Sequence, residues 1–316
     1  MNSNHSPSEA VRAAALRAGA CAAGIAAVAD LGEPSRELYA EWIADGRHGS
    51  MAYLEKYTEL RPNPATLLPG ARSIVCTAWS YRLPPDVPRH PLFADYALGE
   101  DYHEVLRRRL APVCELITQL FPGASTRVCV DTAPLHERFW AVRAGLGFIG
   151  RNSMLTVPAH GAGSRVFLAE ILTDAPLEPD RPEVCSPHPC ADCDRCVRAC
   201  PGRAIRPDGS PLDARRCYSY NTIENRAETL PAGIRLRERR VYGCDICQDA
   251  CPWNSLPYTG PYIEEFAPRP ALYSLTSPQD LTQLSPESYR TLFRGSAIRR
   301  AKLTQLHRNA KNALGE

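Results

Sequence analysis

Thiolates dominate the chemistry this sequence can offer. Eight of its 13 cysteines fall between Cys190 and Cys251, in two sets that each close on a Cys-Pro pair. The first runs Cys190-x2-Cys193-x2-Cys196-x3-Cys200-Pro201; the second is Cys217, then Cys244-x2-Cys247-x3-Cys251-Pro252. This spacing is that of bacterial ferredoxins, in which the fourth cysteine of a run ligates the other cluster of a pair. By that rule Cys190, Cys193, Cys196 and Cys251 hold one 4Fe–4S cluster, and Cys200, Cys217, Cys244 and Cys247 hold the second. Structural zinc also uses C-x2-C pairs, but it needs neither a third cysteine two residues on nor a proline after the fourth. An odd cysteine count and no export signal argue against a disulfide framework. Cys21, Cys76, Cys114 and Cys129 lie in apolar runs and read as core residues; Cys185 is ambiguous, being close to the first set.

Clusters move electrons and leave substrate chemistry to other groups. Outside the cysteine region the strongest candidate is Asp131, at the end of the apolar run Arg127-Val-Cys-Val-Asp131. Open α/β sheets place ligands beyond the carboxyl ends of their strands, and an acid there suits proton transfer. An N-cap role for the following helix fits Asp131 equally well. His136, Glu137 and Arg138 read as that helix's polar first turn. Gly145-x-Gly147-x-x-Gly150 follows a helix instead of a strand, the reverse of the dinucleotide fingerprint, although its glycines would let backbone approach a bulky cofactor.

The elements that must position these groups follow from periodicity. Helices are expected at 7–19, 33–46, 50–58, 101–121 and 135–145, and strands at 20–29, 73–79, 127–131 and 165–172. Their alternation predicts an α/β domain over residues 1–175. The proline-rich stretch 174–189 reads as a linker, and 276–314 as a helical C-terminal piece. At 316 residues and 44% hydrophobic, the chain affords more than one domain. No run approaches the ~18 apolar residues of a membrane span, and clustered thiolates suggest a reducing cytoplasm. Net charge is only +2, but Arg294, Arg299, Arg300, Lys302, Arg308 and Lys311 form a basic segment without acids. Arg235, Arg237, Arg239 and Arg240 form another basic group. Both suit a phosphate backbone, and equally a solvated face.

Several of these motifs occur together and in order. They are Arg61 ahead of Pro64-x-x-Leu67-Leu68-Pro69-Gly70, Asp101-Tyr102-His103, Val130-Asp131-Thr132, Gly145-x-Gly147-Phe148-x3-Asn152, Arg215-Arg216-Cys217-x-Ser219, and Gly243-Cys244-Asp245-x-Cys247-Gln248 with Cys251-Pro252. Over about residues 8–314 the chain resembles the epoxyqueuosine reductases, cobalamin-dependent enzymes of tRNA modification. The resemblance implies a mixed α+β and α/β protein. Residues 1–175 would be an α/β cobalamin-binding catalytic domain, 176–260 a ferredoxin-like domain with two 4Fe–4S clusters, and 261–316 a short HEAT-like helical segment touching tRNA. It implies reduction of epoxyqueuosine to queuosine at the wobble position of tRNA anticodons, with Asp131 as proton donor. The implied cobalamin contacts are Arg61, Asp131, Arg138, Asn152, Ser153, Leu168, Ser219 and Asp245.

Removing an epoxide oxygen as water takes two electrons and two protons, so an acid is needed beside the cobalt. Pressed against a flat apolar corrin, Asp131 is expected to have a raised pKa. Asp101-x-His103 lacks the glycine of the D-x-H-x-x-G cobalamin motif, so the cobalamin is expected base-off. An external low-potential electron donor, a monomeric protein and no membrane contact complete the expectation. Many members continue beyond the position of Glu316 into helical repeats, which would leave residues 294–311 as the RNA-contacting piece. A reductive-dehalogenase-like corrinoid enzyme, a ferredoxin-type carrier without substrate chemistry and a zinc-bearing nucleic-acid module are the competing readings.

Overall fold

The computed structural model describes residues 6–58, 61–182, 186–236 and 240–316. Cys185, Arg237 and Arg239 lie outside the described residues. Six strands are present: β1 Ala22–Ala27, β2 Ser73–Ser80, β3 Thr126–Cys129, β4 Phe148–Ile149, β5 Leu155–Thr156 and β6 Val166–Thr173. Four form one sheet in the order β1-β2-β6-β3, and β4 pairs with β5 as a separate hairpin. The helices of the first half are α1 Pro7–Arg17, α2 Glu33–Ala44, α3 Ala52–Lys56, α4 Tyr102–Leu120 and α5 Glu137–Arg143.

The strand β2 (SIVCTAWS) is buried at every position because it is central and covered on both faces. Its alternate residues divide between two cores, as a two-residue side-chain period requires. Val75 and Trp79 pack against α1 and α4, whose stripe Val105, Leu106, Leu110, Val113, Ile117 recurs at helical spacing. Ile74, Cys76 and Ala78 pack against Trp140 and Ala141 of α5. Cys21, Cys76 and Cys129 are buried within the second core, as expected.

Mixed helix and strand content is as expected, but every pairing in the main sheet is antiparallel. Alternating elements do not fix strand sense: the helical connection from β2 leads to β3, which lies two places away with β6 inserted between them. The rule for carboxyl ends of wound parallel sheets therefore does not explain where Asp131 sits.

The cluster region contains α6 Arg195–Ala199, α7 Tyr218–Ile223 and α8 Ile246–Asp249; the C-terminal helices are α9 Pro278–Thr282, α10 Pro286–Leu292 and α11 Leu303–Leu314. The C-terminal segment does not stand apart. Leu281, Phe293, Leu306 and Ala310 share one core with Leu92, Phe93, Leu98, Ile223 and Tyr242. Nor is 174–189 a loose linker throughout. Ala175 and Leu177 are buried in the α1–α4 core, and Asp180 accepts the Ile25 N–H at 2.8 Å.

Candidate active site

Asp131 follows β3 by two residues, with φ +55°, a left-handed conformation that Asp tolerates better than most side chains. It caps no helix: His136 is the N-cap residue of α5. Instead the Asp131 N–H donates to Glu137 Oε1 at 2.6 Å, which fixes the turn. The Asp131 side chain is 61% accessible, yet protein surrounds it closely enough to desolvate it. It therefore faces an open cleft.

His103, on the first turn of α4, sits between two acids. Its Nδ1 is 2.6 Å from Asp101 Oδ1 and its Nε2 is 3.3 Å from Asp131 Oδ2. Asp101 is held in turn as the N-cap of α4, accepting the His103 N–H at 3.1 Å. The imidazole stacks on Tyr102, which stacks on Phe167 of β6. Burial opposes charge on His103, but hydrogen bonds to Asp101 and Asp131 and their negative charge outweigh it and hold the imidazole up to about 9. For Asp131, burial alone would raise the pKa. The His103 hydrogen bond and charge, the Tyr102 hydroxyl and Arg300 outweigh it, leaving the carboxyl below its ordinary value. In the protein without a corrin, His103 therefore carries the proton and Asp131 is its carboxylate partner; the raised pKa is expected of Asp131 covered by a corrin.

Beneath this pair lies a buried carboxyl couple. Glu170 of β6 is fully buried, and neither of its oxygens meets a fixed donor; its neighbour is the Glu137 carboxyl. Two carboxyls in contact away from water must share a proton. Burial, then repulsion from Asp131, pushes Glu137 up to about 8. Burial and Glu137 push Glu170 well above the carboxylate range.

Arg61 and Arg138 lie near His136 at the start of α5, while Asn152 lines the cysteine cavity. Arg61 Nε and His136 Nε2 are buried without a hydrogen-bond partner among the described residues. Burial, then the charges of Arg61 and Arg138, lower the His136 pKa to about 4, so the imidazole is neutral there. Tyr39 stands edge-on to His136 at 4.8 Å. Arg138 donates to the Ser153 carbonyl, and Asn152 Oδ1 accepts the Met154 N–H. The first contact ties α5 to the β4–β5 turn, and the second holds the turn itself. Leu168 is half-buried on the α5 side of β6, and Ser219 lies half-buried on α7. The unpartnered donors and the open floor fit a broad ligand with a polar rim, as a corrin with its amide arms has.

Asp245 lies in a buried charge network. Its side chain is 2% exposed, and Oδ2 accepts from Arg89 (2.9 Å), Arg240 (2.7 Å) and the Asp95 N–H (3.0 Å). Arg165 links Asp95 to Asp249. This network ties the loop between Cys244 and Cys247 to residues 89–95 and to the start of β6. Removing one partner of a buried charge network costs about 3–5 kcal/mol. Asp245→Ala should therefore lower the thermal midpoint strongly, whereas a mere corrin contact would leave it unchanged.

The glycines of 145–150 also serve the chain itself. Gly145 has φ +78° just past the C-cap of α5. A Cβ at Gly147 would stand 1.9 Å from the Thr156 carbonyl oxygen across the hairpin.

The cysteines gather in one region of the structure. Cys190, Cys193, Cys196 and Cys251 line one cavity, with Gly150, Arg151, Asn152 and Trp253 in its wall. Burial pushes the Cys196 thiol up to about 11, with help from Cys190, Cys251 and Cys193. Burial likewise raises Cys247, with Cys244, Cys217 and Cys200 as its nearest thiol neighbours and Cys196 further on. The second set is therefore grouped, and it adjoins the first. Thiols held this way fit an iron–sulfur cluster, whose iron would take the thiolate form.

Of the basic residues, Arg300 forms a two-pronged pair with Glu224 at 2.7 Å, lies over Tyr53 and acts on Asp131. Arg308 donates to the carbonyls of Asn221, Asn225 and Ala227. Arg240 belongs to the Asp245 network. These three are structural or cleft-facing; Arg294, Arg299, Lys302 and Lys311 remain exposed. Among the described residues no helix is long and apolar enough to cross a membrane.

Eight gathered cysteines, together with an imidazole held between two carboxylates, mark an iron–sulfur oxidoreductase. The 4Fe-4S double cluster binding domain family matches residues 189–254, and the family described as epoxyqueuosine reductase QueG, DUF1730, matches residues 61–132. The chain is 40% identical over 298 residues to the epoxyqueuosine reductase of Gloeobacter violaceus, covering 92% of this chain and 91% of that protein. A solved epoxyqueuosine reductase with an epoxyqueuosine-modified tRNA-Tyr stem loop superposes with a TM-score of 0.84 at 31% identity, over 97% of this chain and 80% of that one. The Bacillus subtilis enzyme, with its catalytic aspartate loop swung out of the active site, gives 0.82 at 30% identity over the same shares. The chain belongs to the epoxyqueuosine reductases.

Proposed function

We propose that this protein reduces epoxyqueuosine to queuosine in tRNA, with two 4Fe–4S clusters and a base-off cobalamin, and with Asp131 delivering a proton. One observation carries the reading: a carboxylate in an open cleft, hydrogen-bonded to an imidazole that a second carboxylate orients. The likeness to an enzyme solved with an epoxyqueuosine-modified tRNA stem loop supports the substrate. Cys190, Cys193, Cys196 and Cys251 would hold the first cluster, and Cys200, Cys217, Cys244 and Cys247 the second, supplying single electrons at low potential. Arg61, His136, Arg138, Asn152 and Ser153 would hold cobalamin by its polar rim, with Leu168 at its apolar floor. Bound cobalamin would supply a strongly reducing, nucleophilic metal centre.

The rest of the work falls to the chain. Asp101 keeps the His103 imidazole oriented, with a proton at Nε2 facing Asp131. Covering of the cleft by bound groups strips water from Asp131 and raises its affinity for that proton. Asp131 then hands the proton to the oxygen leaving the epoxide, and the second proton of the released water follows through the same pair. The Glu137 acceptor at the Asp131 N–H keeps the loop turned into the cleft. Exposed Arg294, Arg299 and Lys302 are available to the RNA backbone, and their contribution should weaken as salt rises.

Reconstituted protein with a low-potential reductant should convert epoxyqueuosine-bearing tRNA only when cobalamin is supplied; equal conversion without cobalamin would remove it from the scheme. His103→Gln supplies a pH test. His103 stays charged until pH rises through about 9, so wild-type activity should fall on that alkaline side. The stability His103 gives is full below about pH 6.5 and fades towards 9. His103→Gln should be slow throughout and lack that limb. An unchanged limb in the variant would assign it to another group.

A further inference from the structure

We propose that Arg151 is a positioning residue for the first cluster and raises its reduction potential, an inference that rests on the cysteine pairing above. Arg151 occupies the turn between β4 and β5, one residue before Asn152, and forms part of the wall of the cavity lined by Cys190, Cys193, Cys196 and Cys251. Its guanidinium donates to three backbone carbonyls: Nε to Cys190 (3.0 Å), Nη2 to Ala191 (3.0 Å) and Nη1 to Pro207 (2.7 Å). None of these acceptors is a carboxylate. Among the described residues Arg151 has no ion-pair partner, and its cationic head lies in the wall of the cysteine cavity.

Two consequences follow from this geometry. The planar fork clamps the loop that opens the first cysteine run to Pro207, donating from three separate nitrogens where a lysine would have one. The fixed cation also favours the reduced cluster, because reduction adds one negative charge close by in a partly desolvated setting. Arg151 thereby joins the turn bearing Asn152 and Ser153 to the seat of an electron carrier. Arg195 lines the same cavity and supplies charge but makes no such clamp.

The test uses anaerobically reconstituted full-length protein, with EPR-monitored redox titration and iron release to a chelator. A Cys251→Ser sample identifies the second cluster's signal. Arg151→Gln should shift the first cluster's midpoint to more negative potential, leave the second's in place, and release iron faster. Arg151→Lys should keep the midpoint near wild type, because the charge is retained, while still releasing iron faster. Midpoints and release rates unchanged in both variants would overturn the inference. If Arg151→Gln holds no cluster, Arg151→Lys decides: release as slow as wild type would overturn it. A wild-type protein without two clusters would instead defeat the underlying pairing.

Discussion

Asp131→Asn should abolish most turnover while leaving the protein folded, loaded with clusters and able to bind tRNA. A positioned general acid contributes about 10²–10⁴-fold, and the amide cannot pass on the proton held by His103. The backbone N–H at residue 131 would still reach Glu137, so the loop should keep its conformation. Loss should therefore appear in kcat, with KM for tRNA nearly constant. The variant also removes the main negative charge opposite His103 Nε2, so the imidazole pKa, read by NMR, should fall from about 9. Full activity in Asp131→Asn would take the proton-donor role away from this residue.

The second large effect concerns the interleaving. Cys251→Ser should empty the first seat, with Cys190, Cys193 and Cys196, although Cys251 lies beside Cys244 and Cys247 in sequence. Iron and acid-labile sulfide should drop by half, and one of two reduced-cluster EPR signals should vanish. Turnover should fall to background if electrons must pass both clusters. Cys200→Ser should remove the other half. Should Cys251→Ser instead remove the signal that Cys244→Ser removes, the pairing would be sequential and the interleaved assignment wrong.

Two clusters were legible because the signal is local: x2 gaps bring three thiolates to one seat, and a Cys-Pro after the x3 gap marks the ferredoxin run. Strand positions were legible from short apolar runs such as SIVCTAWS, which the structure buries throughout. Strand sense was not, because a helix between two strands can return the chain in either direction when another strand is inserted between them. Asp131 could be located in sequence, but its charge state could not. That depends on His103, 28 residues away, and on Asp101 behind it. The Asp101-Tyr-His103 motif was read for the family resemblance and for a missing glycine, although its i, i+2 spacing also fits an N-cap that holds an imidazole. Glu170 sat unnoticed in an apolar strand, where a lone carboxylate demands a partner; that demand was the available signal. For Asp245 the motif pointed to the cofactor but gave no sign of Arg89 and Arg240, which pair with its carboxylate from distant segments of the chain. Arg300 likewise reads as surface charge until the fold pairs it with Glu224 beside the cleft.

The central claim is that electrons stored on this chain's clusters are spent on epoxyqueuosine in tRNA. It is tested most directly by a single-turnover experiment. Cobalamin-loaded protein is fully reduced, freed of reductant, and mixed with epoxyqueuosine-bearing tRNA, and the nucleosides are quantified by mass. The account predicts a burst of queuosine of about one per protein, matched by loss of the reduced-cluster EPR signals. Epoxyqueuosine left intact while the clusters stay reduced would contradict it.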